Sequence, residues 1–117
     1  MRQPAILAAA ALALAACASD APPQAPLARA EQAIRSAEGV GAAQAAPLPL
    51  RIAQERLAAA RSADDEARSR RLADEAVASA ELAQAQAQAA RSQQSLADLR
   101  RSAAGQSEAT TRPGSPQ

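Results

Sequence analysis

This chain of 117 residues has no phenylalanine, tyrosine or tryptophan, no histidine and no lysine, and only one cysteine, Cys17. Each absence closes off a class of function. Without aromatic rings there is no platform on which a nucleic-acid base or a sugar face can stack. Without histidine the side chain that exchanges protons most readily near neutral pH is missing. A single cysteine cannot form a disulfide within the chain. Because no lysine is present, no covalent link to peptidoglycan through a lysine amine is expected. Long hydrophobic side chains are scarce too. Nearly half the residues are nominally apolar, but most of these are alanine, and only twelve larger aliphatic residues follow Cys17.

The charges present are evenly matched, thirteen arginines against twelve acids, for a net +1. A mixed, near-neutral surface is not that of a nucleic-acid or anionic-membrane binder. Catalysis would fall to carboxylates alone, through Asp64, Asp65, Glu66, Asp74 and Glu75. A catalytic carboxylate pair needs a pocket that shifts one of its pKa values, and this composition offers little from which to build one. No catalytic residue and no cofactor is therefore expected. The run Asp64-Asp65-Glu66 reads as the start of a helix, where negative charge suits the dipole. It lacks the shaped, glycine-containing loop of a calcium site, so no metal site is assigned.

The amino-terminal stretch MRQPAILAAAALALAAC places Arg2 ahead of an apolar run from about Ala5 to Leu14, then small residues and Cys17. The run is shorter than the roughly 20 residues a membrane-spanning helix needs and has the layout of a secretory signal peptide, residues 1–16. Leu14, Ala15, Ala16 and Cys17 resemble the lipobox of bacterial lipoproteins. That resemblance implies a diacylglyceryl thioether on Cys17, cleavage before it and acylation of the new amino terminus. Two or more acyl chains give stable anchoring where one does not. Ala18 and Ser19 occupy the sorting positions without the aspartate that retains such proteins at the inner membrane. By resemblance the destination is the inner leaflet of the outer membrane, facing the periplasm.

Residues 17–25 carry Pro22 and Pro23 and read as the lipidated start and an extended tether. Apolar spacing then predicts an all-α domain over residues 26–104. A first helix over 26–38 has Leu27, Ala30, Ile34 and Ala37 on one face, with Gly39 and Gly41 as its stop. AAPLPL follows as a connector. A second helix, 49–61, opens at Pro49 with a stripe of Leu50, Ala53, Leu57 and Ala60. Ser62 or Asp64 is the expected cap of a third, 64–104. On that helix Glu66–Arg70 and Asp64–Arg68 have the spacing and polarity of i,i+4 ion pairs, and Glu75 lies four beyond Arg71. Residues 105–117 read as a disordered polar tail.

In the third helix Ala73, Ala76, Ala80, Ala83, Ala87, Ala90, Gln94 and Ala97 recur at alternating spacings of three and four, a coiled-coil-like seam. The first two helices, about 13 residues each, are too short to cover a helix near ~60 Å long. The second half of the seam is therefore expected to meet another copy or an envelope protein. The architecture expected is an antiparallel helical hairpin or three-helix bundle with a long third helix.

The stretch Ala37–Ala89 resembles a family of small helical bacterial envelope lipoproteins grouped as a domain of unknown function. The resemblance rests on Gly41-Ala42, Ala46-Pro47-Leu48, Leu50, Ala53, Leu57, Ala67, Leu72-Ala73, Ala76 and Leu82-Ala83. In that family the domain also occurs upstream of OmpA-like peptidoglycan-binding domains. It implies a location and a fold rather than a chemistry. The function expected is structural or scaffolding, through helix–helix contacts. The alternative is a binding module, since the short helix pair also resembles one tetratricopeptide-like unit that would cradle a peptide, lipid or protein client.

Overall fold

The computed structural model describes residues 23–111 and Gly114. Four helices follow in order: α1 Gln24–Gly39, α2 Ala42–Ala45, α3 Pro47–Arg61 and α4 Glu66–Thr111, with no strand among the described residues. The class is all-α, as the spacing predicts.

In α1 the residues Leu27, Ala30, Ile34 and Ala37 are buried. In α3 they are Leu50, Ala53, Leu57 and Ala60. Both stripes are those expected from 3–4 spacing. Two side-chain ties give the direction of packing. Glu31 on α1 meets Arg61 on α3, and Glu38 accepts from Gln54. Moving seven residues forward on α1 thus moves seven backward on α3, so the two helices are antiparallel. α4 then runs antiparallel to α3, tied by Ser69 to Ala60 and by Arg56 to Glu75.

The reversal between α1 and α3 uses a device that AAPLPL does not advertise. Gly41 takes φ +84°, the left-handed region open to glycine at little cost. Its carbonyl then accepts from Ala45 at 3.1 Å, closing the single turn α2. That turn buries Ala42 and Ala46 completely or nearly so. Pro47, in the first turn of α3, lacks a donor where none is needed. α3 consequently starts two residues ahead of Pro49.

α4 opens on Asp65 rather than on Ser62 or Asp64. The Asp65 carboxylate accepts from the Arg68 backbone N–H at 2.7 Å. Ser62 is occupied at the end of α3, donating its hydroxyl to the Ala58 and Ala59 carbonyls. The tail expectation also changes: α4 continues through Gly105 to Thr111. An exposed glycine in a helix costs about 1 kcal/mol, too little to end a helix whose neighbours favour it. Thr110 and Thr111 bond back to carbonyls one turn earlier.

Alanine carries the core. Ala30, Ala37, Ala53, Ala60, Ala73, Ala76, Ala80 and Ala83 have no exposed surface, while the buried Leu, Ile and Val side chains keep a few per cent each. The one buried polar side chain among the described residues, Ser69, donates to the Ala60 carbonyl at 2.7 Å. It thereby satisfies one of the carbonyls that the end of α3 leaves without a helical partner.

Two outcomes follow. Ala76→Leu forces a larger side chain between closely approaching backbones and lowers stability by about 1–3 kcal/mol in denaturant unfolding. The same change at exposed Ala97 has no such effect. Secondly, the hydrogen bond from Arg61 holds the Glu31 carboxyl below its ordinary range, with help from Arg35. A group whose folded pKa is depressed stabilises fully above its unfolded value, ~4.3, and loses that contribution as pH falls through the folded value. The melting-temperature difference between the parent and Glu31→Gln therefore shrinks on acidification.

Candidate functional site

The lipobox residues Leu14, Ala15, Ala16 and Cys17, and the sorting positions Ala18 and Ser19, lie outside the described residues. The seam of α4 lies within them, and it divides in two. Ala73, Ala76, Ala80, Ala83 and Ala87 are buried against the other helices. Ala90 is half-buried, and Gln94 and Ala97 are exposed. The division falls where α1 and α3 run out.

Arg91 marks the exit. Its guanidinium donates to the Val40 carbonyl at 3.1 Å, at the end of α1. An open hollow of about 240 Å³ lies beside it, with Gly41, Gln44, Ala87 and Gln94 among its walls. From Arg91 to Thr111 every residue of α4 is exposed. This free portion is about 32 Å long at ~1.5 Å per residue.

A second apolar feature of α4 was not read from the sequence. Leu82, Leu96 and Leu99 are 51%, 51% and 66% exposed. At about 100° per residue they lie roughly 130–180° round the helix from the alanine seam. α4 is thus apolar on two opposite sides, one turned into the bundle and one turned out. The signal was present as the seven-residue recurrence of Leu82, Ala89, Leu96 and Ala103. Its alanine and serine members diluted it, and the neighbouring seam has the same period.

The charged clusters are internally engaged. Glu66 pairs with Arg70 at 2.6 Å, as i,i+4 spacing predicts. Arg101 pairs with Asp98. The expected Asp64–Arg68 pair does not form, because Asp65 takes the capping position and holds the Arg68 backbone instead. Glu75 turns to Arg56 on α3 at 3.4 Å rather than to Arg71. These are exposed pairs, each worth little to stability. Among the described residues no three metal-ligating groups converge. A shallow trough runs over Glu66, Ala67, Arg70, Arg71 and Asp74, and in it Arg70 is already bound to Glu66. No described helix is long and apolar enough to cross a membrane.

The arrangement can therefore present helical surface at a distance from a packed base. Residues 25–99 match the family described as Domain of unknown function (DUF4398). No curated protein and no solved structure matches the chain. The matched segment takes in α1, α2, α3 and α4 as far as Leu99, so it includes the whole packed base and the leucines of the free helix. Covering well over half of the sequence, it makes the chain a member of the DUF4398 family.

Proposed function

We propose that this protein is a non-enzymatic lipoprotein of the bacterial cell envelope. In this reading it is anchored through acylated Cys17 at the inner leaflet of the outer membrane and acts as a scaffold through helix–helix contacts. The observation that carries the anchor is the sequence Leu14-Ala15-Ala16-Cys17 behind a short apolar run.

The fold supports the scaffolding half. Glu31 lies beside Arg61, so the start of α1 sits at the end of the bundle where α3 passes into α4. The free half of α4 leaves from the opposite end, beside Val40. The start of α1 and the tip of α4 are thus held apart by a helix of 46 residues, about 69 Å. A base at the membrane and a rod directed away from it suit a spacer or docking element. The exposed helical surface is where such a protein meets its partners.

Mass spectrometry of the protein extracted from native envelopes tests the anchor. The expected amino terminus is Cys17 carrying a diacylglyceryl thioether and an amide-linked acyl chain. An unacylated chain beginning at Met1 contradicts it. Replacing Ala18 with aspartate is expected to move the protein to the inner-membrane fraction.

A further inference from the structure

We propose that the outer apolar face of α4 is the docking site for a second copy of this chain, laid antiparallel so that Leu96 of each copy packs on Leu99 of the other. The proposal deepens the scaffolding reading by naming the face and the partner, and it does not depend on the lipid anchor.

The first ground is the unpacked length of α4. The portion past Arg91 is fully exposed, yet helices in water owe most of their stability to packing of an apolar face. Leu96 and Leu99 are the only large aliphatic side chains on that portion, and both are exposed by half or more. They continue, at coiled-coil spacing, a face that begins at Leu82 and passes through Ala89. α1 and α3 pack on the alanine side of α4, and past Arg91 neither of them reaches the helix, which leaves Leu96 and Leu99 open to a partner.

Charge selects the occupant and its direction. Followed towards the start of α4, the same face reaches Glu75 and Arg71, both exposed. A parallel copy sets each of these against its own like charge. An antiparallel copy centred between Leu96 and Leu99 sets Ala103 opposite Ser92, Gln106 opposite Ala89 and Thr110 opposite Ala85. Leu82, Glu75 and Arg71 then fall beyond Thr111, the last residue of the other α4, so the contact spans Ala85 to Thr110. The flanking positions Gln86, Gln88, Gln93, Ser95 and Ser102 are uncharged, and Arg100 faces Gln93 of the second copy. No like charges oppose across the pair, and the four leucines meet at its centre.

The test uses the full-length chain carrying Cys17→Ser, so that introduced cysteines are the only thiols, followed by mild oxidation and a non-reducing gel. Ala85→Cys together with Thr110→Cys is expected to give a covalent dimer, while either alone gives none. Adding Leu96→Lys and Leu99→Lys is expected to cut that dimer by about tenfold or more, with helicity by circular dichroism retained. A dimer from Ala85→Cys alone overturns the antiparallel arrangement. No dimer from the pair, or one that survives both lysines, overturns the docking site. Failure of the anchor would instead appear in the mass of the native amino terminus, which these variants do not address.

Discussion

The constraint on which the fold depends is the close approach of backbones along the first half of α4. Alanine at Ala73, Ala76, Ala80 and Ala83 leaves no exposed surface on either side of the contact, and Ala30, Ala37, Ala53 and Ala60 answer from α1 and α3. Alanine costs no side-chain entropy to bury and forms helix better than any other residue. In exchange it buries little area, so the contact is productive only where helices come close enough for dispersion to act over their whole facing surfaces. Leu27, Ile34, Leu50, Leu57, Leu72 and Val77 belong to the same buried cluster as these alanines, each keeping a little exposed surface where the alanines keep none.

Length then determines the outcome. A seam that works by continuous close approach stops working where its partners stop. α1 and α3 have 16 and 15 residues, whereas α4 has 46. The same alternation of three and four that buries Ala83 and Ala87 leaves Gln94 and Ala97 in solvent. The bundle is fastened at this boundary by Arg91 on the Val40 carbonyl and at the other end by Glu31 with Arg61. What continues past it is a rod whose leucines face away from the bundle.

Much of this was legible in the sequence because helical spacing is a local signal. The buried stripes of α1, α3 and the first half of the α4 seam are those predicted from 3–4 recurrence. The turn α2 was not legible: AAPLPL with two prolines reads as a connector, and only the left-handed φ of Gly41 shows that a helical turn fits ahead of Pro47. The cap was ambiguous because Ser62, Asp64 and Asp65 all offer a side-chain oxygen within four positions, and the geometry of one hydrogen bond decides among them. The outward leucine face is obscured in the sequence for a different reason. Apolar residues on opposite sides of one helix cancel in any search for a single amphipathic side, and the bulkier side is the one left uncovered. The lipobox, by contrast, is read from the sequence alone.

The architecture rests most directly on α4 being one continuous helix that leaves the bundle. Spin labels at Ala67 and Ala104, both exposed, measure this in the full-length chain carrying Cys17→Ser, diluted into unlabelled protein so that only distances within one chain register. A continuous helix separates them by about 55 Å. A distance near half of that, from a second half folded back on the first, would contradict it.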